Sequence, residues 1–431
     1  MKICIQKGRL IDPASGLDRV GQLYLADDKI VSIDTCPEGF QNCRTIDASG
    51  LVIAPGLVDL SARLREPGLE YMATLESEQE AAVAGGITSL ACPPDTDPPL
   101  DEPGLVEMLK HRARNLDRAR VYPVGALTQG LKGERLTEMA ELHDAGCIAF
   151  SQADAPFVNL HVLMRAMQYA ATFNFAVWLH PQDVHLANLG VAHEGEIATR
   201  LGLPAIPVCA ETIALSNILS LMKETGARVH LCRISSAEGV ALVRTAKQLG
   251  LALSCDVAAH HVHLTDMDIG FFDTNCHLMP PLRSVADRDA LRAGLLDGTI
   301  DAICSDHAPV DDDAKLVPFA QSAPGATGLE LLLPLVLKWA QESRLPLADA
   351  LARVTLQPAR VLGVDAGRLA PGAVADLCLF DPDDYWTVSP SRLKSQGKNT
   401  PFLGMELCGR VKFTLVGGQI VYDSGHAGLP R

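Results

Sequence analysis

The sequence predicts an α/β chain, a TIM (β/α)8 barrel with a small β-domain assembled from both termini. Three observations carry this. Eight short apolar runs alternate with helical stretches across about 310 residues, too many units for most open sheets. The two ends of the chain share a different texture, apolar and polar residues alternating with the period of a half-buried strand. Neither G-x-G-x-x-G nor a P-loop occurs, which argues against a nucleotide-binding sheet.

Residues 1–54 read as strands. Lys2–Gln6, Gly21–Leu25 and Lys29–Ile33 alternate, and Asp27-Asp28 marks the turn between the second and third. Residues 365–431 return to the same pattern in Asp376–Phe380, Arg410–Val416 and Gln419–Tyr422, with Gly417-Gly418 as a hairpin turn. Both segments are expected to form one β-domain. Residues 55–364 are expected to form the barrel. Its strands are read at 57–63, Gly86–Cys92, Val121–Ala126, Cys147–Phe150, Ala176–Leu179, Arg228–Cys232, Leu251–Cys255 and Asp301–Cys304. Helices are read between them, for example around 70–84, 101–117, 159–174, 208–226 and 285–297. In such a barrel the chemistry lies just past the C-terminal ends of the strands.

Composition bounds the rest. The chain has 431 residues, 48% hydrophobic, and a mean hydropathy of +0.14, enough for one large core and a smaller one. A net charge of −15 argues against nucleic acid and anionic membranes as partners. The 12 cysteines show no C-x-x-C pair, and Cys92, Cys147, Cys255 and Cys304 sit in apolar runs. They read as buried free thiols in a reducing cytoplasm. The opening MKICIQKGRL has no signal-peptide pattern, and no run of 18 uncharged apolar residues suggests a membrane span.

The stretch Pro55–Leu60 and Leu64–Gly68, written PGLVDL-x-x-x-LREPG, resembles the dihydroorotases, cyclic-amide hydrolases of the amidohydrolase superfamily. The resemblance implies the superfamily barrel, a β-domain of the kind described, and a zinc centre. It places His-x-His where this chain has Ser61 and Arg63, which on a strand would share one side. Neutral serine is a poor zinc ligand, and arginine has donors only. Ala149–Pro156 resembles the family's A-F-S-D-D-G-x-P, with Gln152 and Ala153 in place of the two aspartates and Asp154 one residue late. A shifted Asp154 could still serve a metal. His180 matches a retained ligand. Arg233 stands where H-x-x-H-x-S-[ST] has its second histidine, and Asp306 matches the metal-binding proton shuttle of D-H-A-P-H. Of the six matched metal positions, Ser61, Arg63, Ala153, His180, Arg233 and Asp306, two keep a ligand, fewer than the three or so protein ligands of a catalytic zinc. The bland reading makes His180 a hydrogen-bonded barrel histidine and Asp306 a salt-bridged carboxylate.

The positions that bind substrate in the family are altered with them. Arg65 matches the arginine that holds the substrate carboxylate, but Asp95 and Met279 stand where the family has asparagines, and Val310 where it has histidine. Asp95 would repel a carboxylate. His261 and His263 could share a strand face, although the pair before Leu264-Thr265-Asp266 reads as scaffold. His185 and His193 fall in a loop and read as solvated, as does the run Asp311–Asp313.

The resemblance therefore implies a degenerate site with no cofactor. It implies a non-catalytic subunit, dimeric within a hetero-oligomer, needed for assembly of aspartate carbamoyltransferase in pyrimidine biosynthesis. Two alternatives stay open: a divergent cyclic-amide hydrolase with one metal or none using Asp306 and His180, and a small-anion sensor at Arg63, Arg65 and Arg233. The arginines carry one further expectation. A carboxylate left in a barrel mouth without metal needs a counter-charge, and guanidinium forks onto carboxylates, so Arg63 or Arg233 should pair with Asp306 or with an inward-turned Asp154.

Overall fold

A computed structural model describes residues 2–425. Met1 and residues 426–431, which end the segments read as 1–54 and 365–431, lie outside it. Eight parallel strands form the barrel: Leu57–Asp59, Ile87–Cys92, Arg120–Ala126, Ala149–Ser151, Ala176–Leu179, Arg228–Leu231, Leu253–Ala258 and Ala302–Cys304. Each hydrogen-bonds its sequence neighbours. All eight runs read from the sequence are barrel strands, because only a strand buried on both faces accommodates such unbroken apolar stretches.

Strand one is shorter than expected, ending at Asp59 instead of running to residue 63. The Asp59 carboxylate turns inward and takes the backbone N–H of Ser305 at 2.8 Å together with the Ser305 hydroxyl. Burial lifts this carboxyl to about 6, against the hydrogen bonds from Ser305. The ring of strands closes just beyond, where Ala62 pairs in parallel with His307, Arg63 N–H donates to His307 O at 2.9 Å, and His307 N–H donates to Ser61 O at 3.0 Å. Strands one and eight thus join through their extensions, next to the candidate site.

A second buried polar contact fastens this seam to the first helix, Leu75–Ala84, which is capped by Thr74 through a capping box with Ser77. His307 Nδ1 accepts from Gly328 N–H, so its Nε2 carries the proton and donates to Glu78 Oε2 at 2.6 Å. Both side chains are fully buried. Glu78 also accepts from the Ser395 hydroxyl and the Gln396 N–H, tying in the C-terminal segment. His307 is thereby occupied structurally.

The other large sheet takes strands from both ends of the chain. Val52–Pro55 pairs in parallel with Lys2–Asp12 on one side and antiparallel with Leu377–Thr387 on the other. Leu17–Ala26 and Lys29–Ile33 extend one edge, Glu406–Val416 and Gln419–Asp423 the other, and Arg44–Asp47 pairs with the first strand. Ile3, Ile5, Leu23, Leu25, Ile53, Leu379, Phe413 and Leu415 fill its own core. The hairpin at Gly417-Gly418 has positive φ at both residues, as its tight turn requires.

Two readings need correction. His193 is buried: it lies on a short parallel pairing of Ala192–His193 with Ala205–Ile206, and its Nδ1 lies 3.4 Å from Arg283 Nη1. His261 and His263 share no strand face, because a 3-10 turn at Ala259–Val262 follows strand seven. Their Nε2 atoms diverge, to Pro281 O at 3.1 Å and Leu335 O at 2.8 Å. Further helices lie at Met139–Ala145, Ala237–Gln248, Leu332–Ser343, Leu347–Ala352 and Leu356–Leu362. Among the described residues, no helix is long and apolar enough to cross a membrane.

Candidate functional site

The strand ends project their side chains into the barrel mouth through backbone that few residues adopt. Arg65, Ala153, Arg233 and Asp306 all have φ between +46° and +61°. Such left-handed conformations are costly away from glycine, of the order of 1–3 kcal/mol each, and cluster at functional sites. They bend the chain sharply as it leaves strands one, four, six and eight.

Two guanidinium groups occupy the centre. Arg63 Nε donates to Asp95 Oδ2 at 2.6 Å, its Nη2 to Asp154 Oδ2 at 2.6 Å, and its Nη1 to Asp306 Oδ1 at 3.3 Å. Arg233 Nη1 donates to Asp306 Oδ1 at 3.2 Å and to Met279 O at 3.1 Å, and its Nη2 bonds Asp154 Oδ1. Asp154 is therefore gripped by both arginines, Oδ1 by Arg233 and Oδ2 by Arg63 and, at 3.5 Å, by Arg233 Nη1. The arginines are 7% and 4% exposed and Asp306 5%, whereas the Asp154 side chain is about a third exposed, at 35%. Burial works against the charge on Arg63 and Arg233, but the surrounding carboxylates outweigh it and hold both pKa values above the usual arginine value. Burial opposes the charge on Asp154 too, and Arg233 and Arg63 prevail, keeping its carboxyl below the ordinary range. Both arginine pairings expected from the sequence are present, and Asp154 does turn inward.

The remaining positions arrange themselves around this cluster. The Ser61 hydroxyl donates to Asp306 Oδ1 at 3.4 Å, so positions 61 and 63 do face the same carboxylate. Ala153 contributes no donor side chain, and its N–H is held by Ser151. His180 directs Nδ1 at Cys232 O, 3.4 Å away, while its Nε2 has no partner among the described residues. Burial and then the charge of Arg233 lower His180 to about 4, so the ring is neutral at pH 7. Met279 takes part only through its carbonyl. Val310 is buried, its N–H bound to Asn399 Oδ1 at 3.2 Å. Arg65 points elsewhere, donating from Nε to Pro309 O at 2.9 Å, and pairs with no carboxylate among the described residues.

Sequence reasoning named Asp95 without its role and missed Asp256 and His260. Asp95 is a partner of Arg63 and not merely a repulsive substitution. Its signal was available, since a family asparagine becoming Asp95 compensates a family histidine becoming Arg63. Asp256 orients the strand-six end by accepting Arg233 N–H at 2.6 Å, and it faces His230 Nε2 at 3.1 Å. His260 places Nε2 3.9 Å from Asp306, beyond hydrogen-bond reach. Neither gave a sequence signal, because both depend on which strands become neighbours.

This donor set does not fit a zinc ion. The groups that meet at Asp306 are a hydroxyl and two guanidinium ends without lone pairs, and the guanidinium charge sits where a cation would have to sit. Among the described residues no group of three or more His, Cys, Asp or Glu side chains is placed to hold a metal.

Residues 50–239 match the family described as "Dihydro-orotase-like", and residues 163–422 match the family described as "Amidohydrolase family". The chain is 48% identical over 423 residues to a "Dihydroorotase-like protein" of Pseudomonas aeruginosa, covering 98% of this chain and 100% of that one. It is 41% identical over 428 residues to a "Dihydroorotase" of Geobacter sp. (strain M21), covering 99% and 100%. Among solved structures it resembles the L-hydantoinase (dihydropyrimidinase) from Arthrobacter aurescens, with a TM-score of 0.88 at 25% identity, covering 98% of this chain and 96% of that one. Likeness to the dihydropyrimidinase from Brevibacillus agri NCHU1002, TM-score 0.82 at 19% identity over 98% and 95%, is a likeness of fold.

The ion-pair cluster sets an expected mutational effect. Arg233→Ala strips Asp154 and Asp306 of a shared counter-charge, and urea unfolding should show a loss of roughly 3–5 kcal/mol, the range for breaking a buried pair. Arg233→His should remain without bound zinc by elemental analysis. The histidines set a second effect. His180 is lowered to about 4, and His260 and His261 to about 3, each chiefly by burial. Unfolded imidazoles bind a proton near pH 6.5, so as pH falls the unfolded state takes up protons first. The share of stability that comes from these neutral imidazoles should be complete above about pH 6.5, fall by up to roughly 1.4 kcal/mol per pH unit for each down to about pH 4 and level off below about pH 3, while Asp59, raised to about 6, contributes in the opposite sense below about pH 6. Imidazole titrations followed by NMR that place these three rings near pH 6.5 in the folded chain would contradict these burial effects.

Proposed function

The chain belongs to the dihydroorotase-like amidohydrolases, and from that premise we propose that it is a member without turnover, acting as a structural subunit in the assembly of aspartate carbamoyltransferase. It would do so as a dimer within a hetero-oligomer. The observation that carries the loss of turnover is the pair of guanidinium groups, Arg63 and Arg233, bonded to the carboxylate expected to move protons. Hydrolysis of a cyclic amide needs an activated water and a base free to take its proton. Asp306 instead receives three donors on Oδ1, two of them guanidinium groups, so that oxygen is already taken up by side chains of this chain. The partner rests on the resemblance of the motifs to non-catalytic dihydroorotase-like chains that accompany this transferase.

The names of relatives such as the Geobacter dihydroorotase favour a second reading, a divergent cyclic-amide hydrolase. It would rely on Asp306 and on the unpartnered Nε2 of His180. The two readings separate on purified protein. The subunit reading expects no conversion of dihydroorotate in either direction and far less than one zinc per chain. A Ser61→His/Arg63→His double variant should stay inactive, because Ala153, Arg233, Met279 and Val310 are unchanged. Robust turnover by the native chain would establish the hydrolase. Co-expression tests the assembly role: the cognate carbamoyltransferase should reach its full size and activity only with this chain. Unchanged size and activity without it would overturn that role.

A further inference from the structure

The two loops that follow barrel strands seven and eight carry an exposed apolar cluster at the mouth end of the barrel. Phe271 is 93% exposed, Leu316 81% and Met267 63%, with Phe272 and Val317 partly exposed beside them. The rings of Phe271 and Phe272 meet edge to face, centroids 5.7 Å apart. The two loops hold each other in place. Thr274 Oγ1 donates to Lys315 O at 2.7 Å and Lys315 Nζ donates back to Thr274 O at 2.9 Å. Below them His277 contacts Ser322 at 3.0 Å and stacks on Phe319 at 5.2 Å between centroids. Phe272 lies two residues before Thr274 and Leu316 directly follows Lys315, so the lacing joins the two loops beside both apolar segments.

The charge around the cluster is one-sided. Asp268, Asp273, Asp311, Asp312 and Asp313 are exposed on the same two loops, and their one lysine, Lys315, is buried in the lacing. Protruding aromatic and methionine side chains ringed by charge have the make-up of an interface centre and rim. The sign of the rim selects the occupant. A second copy meeting this surface isologously would set five carboxylates against the same five. An anionic lipid surface would be repelled. A different protein with an apolar hollow rimmed by lysine and arginine meets both requirements.

We propose that Phe271, Phe272, Met267 and Leu316, within their aspartate rim, form the surface on which the carbamoyltransferase chain docks through a basic-rimmed apolar hollow. This rests on the subunit reading above. Phe271 is the anchor, and the aspartates steer the encounter and make it salt-dependent.

The test uses the full-length chain and the cognate carbamoyltransferase, with affinity measured by titration and size by sedimentation velocity. A Phe271→Ser/Leu316→Ser variant should keep the native melting temperature, since both side chains are exposed, and should bind the transferase at least tenfold more weakly. Asp311→Lys/Asp312→Lys should slow association and flatten its dependence on salt. Undiminished binding by both variants, with the wild-type complex intact, would overturn the surface while leaving the subunit reading standing. A wild-type chain that fails to bind would overturn both. Variants that bind normally but lose self-association would show that the surface joins copies of this chain, which also overturns the proposal.

Discussion

Charge balance around two sunken guanidinium groups governs the barrel mouth. A barrel gathers the ends of eight strands into a small space, and carboxylates carried there need a counter-charge. Arg63 reaches carboxylates that follow strands two, four and eight, and Arg233 reaches those after strands four and eight. Together they cross-link the ends of five strands with side chains from one covalent chain. A dication would supply comparable charge, but with lone-pair ligands and an open coordination position. The arginines supply it with donors only, so the same geometry acquires mechanical value and gives up Lewis acidity. Their net contribution against a well-packed apolar alternative is small, since desolvation consumes most of the attraction. They are needed because the carboxylates are there.

The side-chain contacts that close the seam between strands one and eight are separate from those of this cluster, although the backbone of Ser61 and Arg63 serves both. Asp59 with Ser305, and His307 with Glu78, close the barrel through buried contacts that involve neither arginine. The D-H-A-P segment thus holds two neighbouring residues with separate duties. Asp306 faces the mouth, and His307 faces the first helix and the C-terminal segment. This separation lets the residues of the mouth vary while the contacts that close the barrel stay in place.

Much of this was legible in the sequence, and for a definite reason. Strands buried on both faces leave unbroken apolar runs, so all eight barrel strands and the sheet built from both termini could be read by periodicity. The inward turn of Asp154 and its capture by arginine followed from electrostatics, since charge cannot be left unpaired at such a site. What could not be read depended on register or on packing at a distance. Strand one stops at Asp59 because Ser305, nearly 250 residues later, supplies two hydrogen bonds. His193 is buried because Arg283 and a two-residue strand pairing lie over it. The helix Leu332–Ser343 packs on Glu406–Val416, a strand of the sheet built from both termini, a contact that only the folded chain reveals.

The sheet shared by the two termini also bears on synthesis at the ribosome. Val52–Pro55 takes its second neighbour from Leu377–Phe380, which is made 322 residues after Pro55. At roughly 5–20 residues per second the edge of Val52–Pro55 stays unpaired for about 15–65 s. An exposed, wholly apolar strand edge is a template for unwanted pairing with other chains. The nascent protein therefore spends most of its time on the ribosome with its stickiest edge uncovered, and whatever shields that edge in the cell acts before the barrel is complete.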